Sequence, residues 1–383
     1  MIELLYRGFD GLDVSFLGQI TTKFADALDA AKIQAQKFRQ PEPLEWNGIA
    51  MTVSESGARG GYAFQASTGA FGATWFFKKP NIYDPWGLRV SCSSFLLATK
   101  GLGGARAYIY EVMEALEIAL QPEAESLGRV DYALDFLIPE FTLTPEHFVM
   151  HSNARRTDHH ETNEFDVVGP SGRVTSVTVG KMPGRQVNVY DKRAEIIAKR
   201  KAAWWVIWDA ARAKEGFPSL VRDRPSEAPI WRVEIRGGKR HLKDRWAITT
   251  WQDLDNRFGD MVAACLDMIR YAMPSGDSNR SRWPDSPLWH AVRCAADEDL
   301  FEMRNYADPD LIKAVQRDEH DKLLAQQMTG LLTTRAGILG IEGDALAGFA
   351  TRAGKQMAQT IEQEPERFAH KLLAAAARYR VIK

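Results

Sequence analysis

Three segments of the chain alternate apolar and polar residues with the period of a strand wetted on one side. In GRVDYALDFLI, Arg129, Asp131, Ala133 and Asp135 share one face, and Val130, Tyr132, Leu134 and Phe136 share the other. In QVNVYDKRAE, Gln186, Asn188 and Tyr190 alternate with Val187 and Val189. In PIWRVEIRGG, Arg232, Glu234 and Arg236 oppose Trp231, Val233 and Ile235. An antiparallel sheet with one solvated face reads this way. The polar faces hold Asp, Glu, Arg and one Tyr, with almost no Ser, Thr or Lys. Asp191 suits a helix N-cap, with Lys192, Arg193 and Glu195 in the turns that follow.

The same reading lays out the rest of the chain. It predicts a strand from Asp13 to Leu17 and a helix capped by Thr21 or Thr22 that runs to about Arg39. Strands follow over Gly48–Val53, Gly60–Ala66, Ala73–Phe77 and Leu88–Cys92. Gly101–Gly104 opens a helix to about Ala124, whose Tyr108, Val112, Ala115, Leu116 and Ala119 form a core stripe. Ser152–Glu164 reads as a polar loop. Beyond Trp246 the strand signals stop: helices are expected over Asp253–Tyr271, Lys322–Gly340, Gly343–Glu362 and Pro365–Tyr379. The fold class is therefore α+β: two successive α+β units that suggest one composite, mainly antiparallel sheet built by duplication, then an all-helical C-terminal region. The expected divisions are 1–127, 128–246 and 247–383. With no candidate catalytic residue in it, the segment after about Pro284 is expected to be dispensable for the chemistry.

Composition and charge narrow the function. Of 383 residues, 45% are hydrophobic and 26% charged, which describes a globular chain and not a disordered one. Cys92, Cys265 and Cys294 are far apart and odd in number, so neither a disulfide framework nor zinc-ligand spacing follows. With no basic leader and no long apolar run, a cytoplasmic location and no membrane contact are expected. The net charge of −1 conceals a basic block: residues 181–245 hold 17 Lys and Arg against 8 Asp and Glu. Such a block suits a polyanion bound at one place, and equally a solvated helix face.

The order R-x-D-x-x-x-D, V-Y-D-K-x-x-E and W-R-x-E-x-R, preceded by FDGLDVSF and WGLRVSCSS, resembles the rolling-circle replication initiation factors of plasmids and filamentous phages, with related relaxases. The similarity covers roughly residues 8–245, and it implies a core of two fused α+β halves forming a curved, mainly antiparallel central sheet. It implies metal-dependent nicking and rejoining of DNA through a 5′-phosphotyrosine. Tyr190 would be the nucleophile, aided by Lys192 and Arg232. Asp131, Asp135, Glu195 and Glu234 would supply oxygen ligands for Mg²⁺ or Mn²⁺. Arg129, Lys199, Lys201, Arg236, Lys239 and Arg240 would contact DNA at an origin, single-stranded or hairpin site. A host helicase and a second copy of the chain are the candidate protein partners.

Each candidate has a plainer reading. Tyr190 suits an ordinary strand end, Asp135 a partner for Arg129 or Arg232, and Glu195 a partner for Lys192 or Lys199 on its own helix. Tyr132 lies on the apolar face of its strand, and the other tyrosines, Tyr6 among them, have no acid strand beside them. His159 and His160 are adjacent, which does not project both to one side of a strand as a two-histidine metal site requires. No G-x-x-x-x-G-K-[ST] loop is present for ATP-driven unwinding. Trp204, Trp205 and Trp208 read as core. A DNA-binding regulator of the same fold without cleavage, and a structural protein with a basic patch, remain the competing functions.

Overall fold

In the computed structural model, the described residues are 2–150, 165–169, 173–222, 228–302 and 305–379. The alternating segments pair into one 11-stranded sheet, antiparallel between every pair of neighbouring strands. The N-terminal half supplies β1 (Glu3–Gln19), β2 (Glu42–Trp46), β3 (Ile49–Val53), β4 (Phe64–Ser67), β5 (Ala73–Phe77) and β6 (Leu88–Cys92). The second half supplies β7 (Ala119–Leu137), β9 (Phe165–Val168), β10 (Ser176–Gly180), β11 (Arg185–Asp191) and β12 (Ile230–Gly238). The spatial order is β2-β3-β4-β5-β6-β1-β7-β12-β11-β10-β9. The chain is an α+β protein with a helical C-terminal region.

That order contains a repeat. Counting outward from the central pair, the first half runs first strand, sixth, fifth, fourth, third, second; the other half runs the same way, except that β8 (Phe148–Met150) leaves the sheet to pair with β13 (Ile269–Tyr271). The matching sixth strands share an Arg-Val dipeptide, Arg89-Val90 in β6 and Arg232-Val233 in β12. No such residue match was legible before the topology aligned the two strands.

The apolar face is covered by helices from both ends of the chain. On it, Leu12, Val14, Val90, Trp75, Val130, Leu134, Val233 and Val187 are fully buried. Against them pack α1 (Thr22–Phe38) and α2 (Ser94–Ala115). The same core takes in α5 (Trp251–Met268) and α6 (Pro287–Ala296). A second core lies on the polar side, where α3 (Lys192–Ala198) and α4 (Ala203–Lys214) bring Ile196, Trp204, Trp205 and Trp208 onto Leu5, Tyr6 and Ala133.

Several elements differ from the periodicity reading. β1 starts ten residues before Asp13, because Leu5 and Tyr6 face the second core while Phe9 and Leu12 face the first. β2 was not legible, being half exposed at the sheet edge. Gly101 opens only the second part of a kinked helix. Ser93 caps α2 by accepting from the Leu96 amide, and Gly101, with φ 67°, kinks a helix already under way. That helix stops at Ala115, and from Ala119 the chain belongs to β7, which pairs with β1 across several register shifts. The His159–His160 pair and the Ser152–Glu164 loop lie outside the described residues.

Three further helices, α7 (Pro309–Ile338), α8 (Leu346–Gln363) and α9 (Pro365–Tyr379), complete the C-terminal end. α7 is capped by Asp308 with Pro309 in its first turn, so it begins 13 residues before the expected Lys322. No helix among the described residues is long and apolar enough to cross a membrane. Cys92 and Cys265 are buried and Cys294 is exposed, all as free thiols.

The expected cut at Pro284 runs through the main core. Arg7, fully buried on β1, donates to the carbonyls of Ala295 (2.7 Å) and Asp299 (2.9 Å) and pairs with Glu298 at 3.1 Å. Tyr132 donates to the Leu300 carbonyl at 2.9 Å. A chain ending at Pro284 is therefore expected to lose cooperative unfolding in a calorimetric scan. A chain ending at Lys322 keeps these contacts and is expected to unfold within about 5 °C of the parent. Cooperative folding of the shorter chain would show that α6 is dispensable.

Candidate active site

Strand register assembles the site from four strands. Tyr190 on β11 lies opposite Arg232 on β12, which lies opposite Asp135 on β7, which lies opposite Tyr6 on β1. Two residues along, Asn188 faces Glu234; two further, Gln186 faces Arg236, Arg236 faces Asp131, and Asp131 faces Gly11. The polar faces read from alternation thus become adjacent rows on one side of the sheet.

The Arg232 row is closed. Arg232 is fully buried and grips Asp135 with two hydrogen bonds, Nε to Oδ1 at 2.5 Å and Nη2 to Oδ2 at 2.8 Å. Its Nη1 donates to Asp10 at 2.6 Å. Trp208 donates to Asp135 at 2.9 Å, and the Trp204 ring lies 4.4 Å from the guanidinium carbon. Asp135 and Arg232 therefore sit beneath the site, where Arg232 holds two strands of the second half to β1. The pairing reading of Asp135 is the one its surroundings match.

Above this row opens a cavity of about 320 Å³. Of the residues singled out by sequence, Arg129, Asp131, Tyr190, Lys192, Glu195, Lys199, Lys201, Glu234 and Arg236 line it. Lys239 and Arg240 do not; both are exposed just beyond the end of β12. The N-terminal half adds wall residues absent from the candidate set, Asp10, Asp13 and Ser91 among them. Asp10 was hidden by a bulge. The β1–β7 register shifts between Phe9 and Gly11, which turns Asp10 and Gly11 to the same side and breaks the alternation that would have marked Asp10. At Gly11 a Cβ would come within 2.6 Å of Asp131 Oδ2, so glycine there makes room for the carboxylate.

The charges are paired unevenly. Arg129 holds Asp131 with contacts of 2.9 and 2.5 Å, and Arg236 holds Glu234 at 2.8 Å. Burial pushes the Asp131 carboxyl up to about 7, with the Glu234 charge adding to the rise against Arg129 and Arg236. For Asp10, burial acts upward but the charges of Arg232 and Lys192 hold its carboxyl below the usual range. Glu195 receives Lys192 at 2.7 Å, Lys199 at 3.0 Å and Lys201 at 3.3 Å. Burial opposes ionisation there too, yet the three lysines bring its carboxyl down to about 2. Burial and the Arg232 charge lower the buried Lys192 ammonium, against Asp10 and Glu195.

Tyr190 is the tyrosine among the residues that line this cavity. Its ring lies 5.8 Å from the Lys192 ammonium, and among the described residues nothing hydrogen-bonds its hydroxyl. Burial raises its pKa well above 10, Arg232 opposes, and Glu234, Asp10 and Glu195 push it further up. Tyr6, expected to lack an acidic neighbour, stands beside Asp135 and Arg232. It is 2% exposed, however, and its hydroxyl is spent on the Phe9 carbonyl at 3.1 Å.

As oxygen ligands, the four carboxylates proposed from sequence fall into three environments. Asp131 and Glu234 face one cavity and repel each other, which fits one hard cation. Asp135 is enclosed by Arg232 and Trp208, and Glu195 is saturated by lysines. No group of three or more His, Cys, Asp or Glu side chains among the described residues is arranged to hold a metal.

No family model matches the chain, and no curated protein matches its sequence. Among solved structures it is similar to that of a rolling circle replication initiator protein from Geobacillus stearothermophilus. The two share 14% sequence identity with a TM-score of 0.37, over 77% of this chain and 97% of that one.

The Asp131 carboxyl gives the site a pH signature. A group raised on folding takes up a proton, so its contribution is fully present below the unfolded pKa of about 4 and stability declines as pH rises toward about 7. Thermal unfolding in EDTA is expected to show this decline in the parent and a flatter profile in Asp131→Asn. Parallel profiles would mean that Asp131 is ionised throughout.

Proposed function

We propose that the cavity cleaves and rejoins single-stranded DNA through Tyr190. The observation that carries this reading is the free Tyr190 hydroxyl in a cavity shared by two mutually repelling carboxylates and a ring of cations. Attack of the Tyr190 oxygen on a phosphodiester forms a tyrosyl O–P bond and breaks the bond to the 3′ oxygen. The products are a 5′-phosphotyrosine and a free 3′-hydroxyl, which takes up a proton. Reversal needs no nucleotide cofactor, because the phosphotyrosine conserves the bond energy. Rolling-circle initiation or mobile-element transfer would use such a nick.

The residues divide the work. A phenol this buried is a weak nucleophile unless positive charge meets the developing phenolate. Lys192 stands against its ring and Arg232 beneath it. Arg129 and Arg236 orient Asp131 and Glu234 and present their remaining donors to phosphate oxygens. Mg²⁺ or Mn²⁺ held by Asp131 and Glu234 would neutralise charge on the reacting phosphate. Lys199 and Lys201 lie on the cavity rim, positioned for the flanking backbone. A DNA-binding protein without cleavage would need the cations but no free tyrosine beside the carboxylates.

Incubation with a 3′-labelled single-stranded oligonucleotide and Mg²⁺ is expected to yield a cleaved strand and a labelled covalent adduct. Tyr190→Phe is expected to lower the rate by more than about a thousandfold while retaining DNA binding. Asp131→Asn and Glu234→Gln are expected to abolish the calorimetric heat of Mn²⁺ binding as well as cleavage. Cleavage by Tyr190→Phe at the parental rate would remove the tyrosine from the mechanism. Undiminished Mn²⁺ binding in both carboxylate variants would remove them from the metal site.

A further inference from the structure

The repeat in the sheet places a counterpart of the Tyr190 site in the N-terminal half. Aligning β6 with β12 through their Arg-Val dipeptides sets Arg89 where Arg232 stands. The neighbours then follow from register. Arg232 lies between Tyr190 on β11 and Asp135 on β7, whereas Arg89 lies between Phe76 on β5 and Ser15 on β1. In the next row, Ser91 with Thr74 replaces Glu234 with Asn188. The N-terminal copy keeps the arginine and an aromatic ring, but phenylalanine stands in the place of Tyr190 and serines in the places of Asp135 and Glu234, while Asp13 lies opposite Ser91 on β1.

What remains is built for stacking. The Arg89 guanidinium carbon sits 4.0 Å from the centroid of the Phe76 ring and 5.3 Å from that of Tyr62. Lys78 lies 5.3 Å from the opposite ring of this pair, Tyr62, whose centroid is 5.9 Å from Phe76. Arg89 is partly exposed, and among the described residues no carboxylate pairs with it. Its Nε is buried without a hydrogen-bond partner. Arg232, by contrast, is fully buried and carries two aspartates. A flat cation held on a ring, with no internal anion, suits a base stacked on its plane and a phosphate on its edge.

The platform also lies on the track that leads to Tyr190. Arg89 and Ser91 share the polar face of β6, and Ser91 lines the Tyr190 cavity. Five strand spacings separate β5 from β11, about 24 Å across the sheet. A single strand entering the cavity would reach the platform only if it were several nucleotides long.

We propose that Arg89, Phe76 and Tyr62 form a second, non-cleaving binding site for single-stranded DNA, which holds the flank of the strand cut at Tyr190. It rests on the nicking reading for its orientation, but binding is measurable without cleavage. In the Tyr190→Phe background, fluorescence anisotropy with labelled oligodeoxythymidine is expected to show tighter binding at about 16 nucleotides than at about 4. Arg89→Ala is expected to weaken the longer oligonucleotide about tenfold, leave the shorter one unchanged and reduce the salt slope by about 0.7. Tyr62→Ala is expected to weaken the longer one similarly without changing the slope. Arg89→Lys, which keeps the charge and loses the flat stack, serves as the variant least able to disturb folding and is expected to restore the slope but not the affinity. Parental affinity for the longer oligonucleotide in folded Arg89→Ala and Tyr62→Ala would overturn the platform. The same holds if the parent binds both lengths equally. Loss of length-dependent binding in these variants, beside a parent that forms no Tyr190 adduct, would sustain the platform and overturn the nicking.

Discussion

A fully buried arginine fixes the geometry of this protein. Arg232 joins β12 to β7 through Asp135 and to β1 through Asp10, and the tryptophans of α4 close over it. Its burial is tolerable because all three of its charge-bearing nitrogens meet carboxylate oxygens at 2.5–2.8 Å. Removing it would leave the fully buried Asp135 carboxylate without its cation, a loss on the order of 3–5 kcal/mol. The arginine is raised well above its ordinary pKa by Asp10 and Asp135 despite its burial, so it is a permanent charge beside Tyr190.

This anchoring divides the polar face into regions of different chemistry. Near Arg232 the face is sealed by Trp204 and Trp208. One row away it opens into the cavity, where the carboxylates are held only by partly exposed arginines. Across β1 it continues into the N-terminal half, where Ser15 and Ser91 stand in the places of Asp135 and Glu234 and Arg89 rests on Phe76. One sheet, repeated once, thus places the Tyr190 cavity and the Arg89–Phe76 stack on a single face. The second core formed by α3 and α4 supplies the asymmetry between the halves, since the corresponding β5–β6 connection carries no helix.

Much of this was legible in the sequence, and the reasons for the rest are physical. Strict alternation marked β7, β11 and β12 and gathered five of the candidate residues, Arg129, Asp131, Tyr190, Glu234 and Arg236, on one cavity, because one face of each strand is buried in the main core; the helix that Asp191 caps brings Lys192 and Glu195, with Lys199 and Lys201 just after it. Alternation does not distinguish a charge pointing into a cavity from one clamped beneath it, so for Asp135 both a ligand role and a pairing with Arg129 or Arg232 stayed open until the register put it against Arg232. Asp10 escaped because a bulge interrupts the period. The start of β1 escaped because its two faces meet different cores, and Leu5-Tyr6 then reads as an apolar run. The importance of α6 to the main core follows from Arg7 reaching carbonyls nearly 300 residues away, which no local pattern records.

The central claim is that Tyr190 becomes covalently joined to DNA. Trypsin and nuclease digestion of the protein after incubation with single-stranded DNA and Mg²⁺, followed by mass spectrometry, addresses it directly. The account predicts a nucleotide mass on the peptide that contains Tyr190, between Arg185 and Lys192. A nucleotide on a peptide carrying any other tyrosine, or cleaved DNA with no modified peptide, would contradict it.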